Sequence, residues 1–167
     1  MTESTTVVST TVQVHRVFIK ANAQTIWDAI TDPEWNGRYG YQCPADYDLR
    51  PGGAYVGHSN DAMRAMGAPD PLIDGEVVSA DPPHKLVQTW RALFDDATAA
   101  EGFTRLTWEI VELPNGGVCR LTVTHDVTDA PLVASQTSGE MVEAGGGWAF
   151  ILSDMKTLLE TGKSFQG

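Results

Sequence analysis

Gly147-Trp148-Ala149-Phe150-Ile151-Leu152-Ser153-Asp154-Met155-Lys156-Thr157-Leu158-Leu159-Glu160 is the stretch that decides the fold. Trp148, Ile151, Leu152, Met155, Leu158 and Leu159 recur at helical spacing and form one continuous apolar stripe. Ser153, Asp154, Lys156 and Glu160 fall on the opposite, polar side. Gly145, Gly146 and Gly147 break the chain before the stripe, and Gly162 supplies a residue able to end the helix in the left-handed region. Lys156 and Lys163 suit the negative end of the helix dipole. A lone helix of this length is marginal in water, so the stripe must lie on something larger.

Almost everything upstream reads as strand. Residues 12–19 are β-branched and strand-like, and strict alternation means that His15 and Arg16 cannot both point outward. Residues 23–30 switch to helical spacing, burying Ile26, Trp27 and Ile30. Asp32 then caps a second short helix over residues 34–38, with Pro33 as its first residue. Residues 47–50 and 54–59 form a hairpin about the Pro51-Gly52-Gly53 turn. Residues 60–71 make a longer connection carrying two exposed methionines, which either cover an apolar edge or form a lid.

Four more strands follow, over residues 73–79, 85–94, 103–113 and 118–127. Asp81-Pro82-Pro83 and Pro114-Asn115-Gly116-Gly117 provide turns, and residues 95–102 form an acidic, alanine-rich loop. Residues 128–146 are irregular or weakly helical, and residues 1–11 read as a frayed tail before one domain spanning residues 12–167. The order therefore predicts an α+β chain: a curved antiparallel sheet of about seven strands wrapped round the C-terminal helix, with two short helices after the first strand.

Composition limits what such a domain does. Net charge is −11, from 22 acidic and 11 basic residues. A field of that sign disfavours nucleic acid and anionic lipid as partners. Cys43 and Cys119 show no metal or redox spacing, no apolar run spans a bilayer, and no secretory leader pattern is present. The expectation is a cytoplasmic protein, monomeric or homodimeric, with no membrane insertion.

Several pieces in the right order resemble a known family. They are Ile26-Trp27-Asp28-Ala29-Ile30-Thr31-Asp32-Pro33, Leu49-Arg50-Pro51-Gly52-Gly53, Gly75-Glu76-Val77-Val78 with Asp81-Pro82-Pro83, and Leu86-Val87 leading to Thr89-Trp90-Arg91. Gly117 to His125 and the Gly147-Trp148 helix start complete the set. The chain resembles the START-like (SRPBCC) superfamily with its helix-grip fold. Within it, the local sequence resembles the branch named after the ATPase activator of the ninety-kilodalton heat-shock chaperone. The resemblance implies a cavity between sheet and long helix that takes an apolar small molecule. It does not settle activity, because this fold hosts carriers, receptors, cyclases and chaperone cofactors.

No HExxH, GxSxG, Walker or dinucleotide fingerprint is present, and the four histidines lack metal-ligand spacing. No cofactor, metal or catalytic residue is assigned. Two constellations remain. Trp35, Tyr39 and Tyr41 fit a pocket rim, while Trp90, Trp108 and Trp148 fit either core or pocket wall, with Leu152 and Met155 on the facing helix. Asp28, His58 and His125 form the polar set, able to polarise a carbonyl or move a proton if the concave face brings them together. His125 shares a strand face with Cys119, Leu121 and Val123 and so points toward the helix. There it is either a satisfied core residue or a polar contact for a ligand. Three functions follow in order: non-covalent binding of a small apolar or amphipathic ligand, cyclase or hydratase chemistry on a polyketide-like or aromatic substrate through His125, and a chaperone-cofactor role.

Overall fold

The computed structural model describes residues 11–141 and 145–167; of the expected tail, residues 1–10 lie outside this description. The chain runs β1 (Val12–Ile19), α1 (Ala23–Thr31), α2 (Pro33–Asn36), β2 (Ala45–Tyr47), β3 (Ala54–Gly57), α3 (Asp61–Ala65) and β4 (Ile73–Asp81). It continues through β5 (Lys85–Ala92), α4 (Asp96–Ala100), β6 (Thr104–Glu112), β7 (Cys119–Asp126), α5 (Pro131–Thr137) and α6 (Gly147–Thr161). The strands form one seven-stranded sheet in the order β1-β7-β6-β5-β4-β3-β2, antiparallel at every pairing. This is the helix-grip arrangement.

The stripe on α6 packs as its spacing requires. Trp148, Leu152, Met155 and Leu158 are buried, with Ile151 and Leu159 half-buried against them. They meet the concave face of the sheet, where Leu121 and Val123 of β7 lie opposite Ile110 and Trp108 of β6. Gly162 ends the helix at φ 84°, and its N–H reaches the Leu158 carbonyl at 2.8 Å. On β1, Arg16 points out and His15 inward, as alternation demands.

Asp32 caps α2 by accepting the Glu34 N–H at 2.9 Å, and Pro33 opens it. That helix stops at Asn36 rather than residue 38, because the Asn36 amide turns inward to bond the Ile30 and Ala45 carbonyls.

Some boundaries differ from the sequence reading. The strand expected over residues 47–50 lies earlier, at Ala45–Tyr47. Asp48 instead clasps the Arg50 guanidinium, closing the turn, while Gly52 and Gly53 pair with Val77 of β4. The connection over residues 60–71 contains α3, capped by the Asn60 side chain on the Met63 N–H at 2.8 Å. Its two methionines part company: Met66 is 90% exposed and Met63 turns inward. Asp95 builds a capping box that makes α4 out of the expected acidic loop.

The clearest correction concerns Asp154, which spacing places on the polar face of α6. It is 1% exposed. Its two carboxylate oxygens accept the Gly40 N–H at 2.8 Å and the Phe165 N–H at 2.6 Å.

Candidate functional site

An aromatic cavity of about 300 Å³ opens between the concave face of the sheet, the first turns of α6, and the segments that follow α1 and β3. Its floor is buried: Trp90 from β5, Trp108 from β6, Trp148 from α6, and Tyr39 and Tyr55. Its partly exposed rim includes Tyr41, Cys43, Met63, Phe94, Gln136 and Ile151.

Alternation along β5 and β6 aims Trp90 and Trp108 at the same face as Leu86 and Leu106. The start of α6 then drops Trp148 between them. Trp148 meets Trp108 edge-on at 5.5 Å between ring centroids and lies 6.4 Å from Trp90. This placement depends on Gly147, whose φ is +62° and where a Cβ would sit 2.3 Å from the Thr137 carbonyl oxygen. The Gly147 N–H donates to the Tyr41 hydroxyl at 3.0 Å, tying the helix start to the rim.

Two of the indoles spend their single donor away from the cavity space. Trp148 Nε1 donates to His125 Nδ1 at 3.1 Å, and Trp108 Nε1 donates to Gln88 Oε1 at 3.1 Å. The phenols behave alike: Tyr39 donates to the Ala29 carbonyl and Tyr47 to Gln88 Oε1, each at 2.8 Å. Burial pushes the hydroxyls of Tyr39, Tyr47 and Tyr55 above the ordinary tyrosine value, so all three stay neutral.

His125 sits behind the tryptophans with both ring nitrogens engaged. Because Nδ1 accepts from Trp148, the proton belongs on Nε2, which donates to Thr104 Oγ1 at 2.7 Å. Thr104 in turn donates to the Trp90 carbonyl at 2.8 Å. The ring is fully buried, and burial lowers its pKa to about 4. It is neutral near pH 7, and both nitrogens already serve the core.

Of the residues singled out from sequence, Tyr39, Tyr41, Trp90, Trp108 and Trp148 line the cavity. The others lie off its lining. Trp35 is 37% exposed on the outer surface, where the Arg38 guanidinium stacks on its ring at 4.5 Å. His58 is drawn outward between Asp46 and Asp70, at 2.9 and 3.1 Å. Leu152 and Met155 pack into the core further along α6. Nor do Asp28, His58 and His125 form a cluster, since each is held by separate partners; Asp28 accepts from Gln24 on its own helix.

Sequence reasoning missed Tyr47, Tyr55, Met63 and Gln136. Tyr47 and Tyr55 are cross-strand partners with rings 4.7 Å apart. Their pairing follows from the hairpin once its first strand is placed two residues earlier.

Among the described residues that line it, there is no Asp, Glu, His, Lys or Arg. Among the described residues, no group of three or more His, Cys, Asp or Glu is placed to hold a metal ion, and no helix is long and apolar enough to cross a membrane. Chemically, the site offers shape, dispersion and aromatic faces.

No curated protein sequence matches the chain, but its fold is shared by many solved structures. CalU16 from Micromonospora echinospora superposes with a TM-score of 0.61 at 18% identity, covering 89% of this chain and 77% of that one. PFC0360w, an HSP90 activator from Plasmodium falciparum, gives 0.56 at 18% identity, with coverages of 93% and 91%. NE0264 from Nitrosomonas europaea gives 0.65 at 16% identity, with coverages of 90% and 95%. At such identities the likeness is one of fold. Membership is carried by the sequence itself: residues 20–160 match the model of the activator of Hsp90 ATPase homolog 1-like proteins, and the chain belongs to that family.

Proposed function

We propose that this protein binds a small apolar ligand in the aromatic cavity, without covalent chemistry. The supporting observation is a cavity of about 300 Å³ floored by three tryptophans and lined, among the described residues, without a single charged side chain. A space of that size sits at the lower end of small-molecule sites, which are concave, mostly apolar and usually preformed. A catalytic reading would need an acid or base facing the ligand. His125, the histidine aimed toward the helix, has both nitrogens committed to Thr104 and Trp148.

The test is direct titration of the full chain with N-phenylnaphthylamine, a neutral fluorophore that brightens in apolar surroundings. Saturable binding, with a concurrent change in tryptophan emission, is the expected result. Absence of saturable binding by a native, cooperatively melting sample would overturn the reading. Trp108→Ala provides the control, because it removes a floor residue and should weaken the probe.

A further inference from the structure

We infer that the cavity selects neutral aromatic molecules carrying one hydrogen-bonding group at the rim, and rejects carboxylate-ended molecules of the same size. This inference rests on the cavity-binding reading above and narrows it to a chemical class.

The first argument is charge. An anionic headgroup entering an apolar cavity needs a cation or a set of free donors there, since an ionised carboxylate is the costliest group to take out of water. Among the described residues, the lining holds no Lys, Arg or His. His58, a basic side chain just after β3, already faces Asp46 and Asp70. The net charge of −11 further opposes an anion.

The second argument is an accounting of donors and acceptors. The Trp108 and Trp148 indole N–H groups are committed to Gln88 and His125. Asn36 bonds the Ile30 and Ala45 carbonyls and also accepts the Ala45 N–H. Thr137 donates to the Val133 carbonyl and lies 2.9 Å from Gln13 Oε1. One amide remains. Gln136 of α5 lines the cavity and is half-buried, and among the described residues its side chain makes no hydrogen bond. Its amide offers both donors and an acceptor at the rim, suited to a ketone, hydroxyl or ether.

The third argument is shape. A lining of indole and phenol rings favours flat π-systems, through offset and edge contacts, over flexible acyl chains. Filled at interior packing density, the cavity takes a ligand of roughly two to three fused rings.

The experiment compares three naphthalenes of similar size on the full chain, read by tryptophan emission and by calorimetry: acetylnaphthalene, methylnaphthalene and naphthoate at neutral pH. Acetylnaphthalene and methylnaphthalene should bind saturably, with naphthoate at least about tenfold weaker. Gln136→Leu, made at a side chain with no partner to lose, should weaken acetylnaphthalene about fivefold and leave methylnaphthalene unchanged or tighter. If naphthoate binds as tightly as acetylnaphthalene, or Gln136→Leu affects both neutral ligands alike, the inference falls while the cavity-binding reading stands. If none of the three binds a folded sample, both fall together.

Discussion

Asp154 of α6 accepts the Gly40 backbone N–H at 2.8 Å, joining residues 114 positions apart. Its other oxygen takes the Phe165 N–H. One buried carboxylate thereby fixes three things: the long helix, the rim segment after α2, and the C-terminal tail that folds back on Phe150. Gly40 itself lines the cavity, so this bond sets the height of the rim above the helix.

Asp154→Ala should therefore be strongly destabilising, contrary to what its spacing in the sequence suggests. The substitution leaves two backbone donors without their acceptor, at about 1–3 kcal/mol each where burial is complete. Ser153→Ala, at an exposed neighbouring position, should be near neutral. Urea denaturation midpoints of the two variants decide the matter. Equal midpoints would show that the Gly40 and Phe165 bonds contribute nothing.

Periodicity made the frame of this molecule legible. The α6 stripe, the seven strands and Gly162 all follow from local spacing and turn chemistry, which act within a few residues. Asp154 was not legible, because its partners are backbone groups brought near only by the completed fold. The cavity was legible in part. Spacing shows that Trp148, Leu152 and Met155 share a face, but not that the space opens only at the first turns of the helix. Beyond Ile151 the sheet closes on the stripe, so Leu152 and Met155 become core. Trp35 looked like a rim residue until Arg38, three positions on, stacked it on the outer surface.

Gly147→Ala should disturb the cavity more than Gly162→Ala, although both residues have positive φ. Each change places an L-residue in the left-handed region, at about 1–2 kcal/mol. At Gly162 nothing lies within 4 Å of the new methyl, so that is the whole cost. At Gly147 the methyl would meet the Thr137 carbonyl oxygen at 2.3 Å and force the start of α6 away from α5. Thermal melts should rank the variants in that order. Tryptophan emission should shift only for Gly147→Ala, because Trp148 moves with it.

His58 should make one stabilising contribution that disappears in mild alkali. Its ring is held between two carboxylates, so both nitrogens donate only when it is an imidazolium. Partial burial pulls its pKa down, but the hydrogen bonds that Asp46 and Asp70 accept from the ring outweigh this and leave it above the ordinary value of 6.5. A raised folded-state pKa means stabilisation fully present below 6.5 and lost as pH rises through the folded value. The effect is small, because the ring is about one-third exposed and salt screens it. His58→Gln should flatten the stability profile just above pH 6.5. An unchanged profile would mean that the clasp does not matter to stability.

His125 has the opposite sign, and its variants test the core beneath the cavity. The folded-state pKa of about 4 lies below the ordinary 6.5 because burial penalises the charged ring. Its contribution is full above pH 6.5 and is lost as pH falls toward 4, which amounts to roughly 3 kcal/mol over that span. His125→Phe keeps the ring but orphans the Trp148 indole N–H, and it deprives Thr104 Oγ1 of its donor. It should cost about 2–4 kcal/mol at neutral pH, chiefly for the unpaired donor and the imperfect fit of the larger ring. It should also remove most of the acid sensitivity between pH 6.5 and 4. The two readouts separate a bonded core histidine from an idle one. If His125→Phe melts like the parent at pH 7 and keeps the same acid profile, the Thr104–His125–Trp148 chain does not hold the floor of the cavity in place.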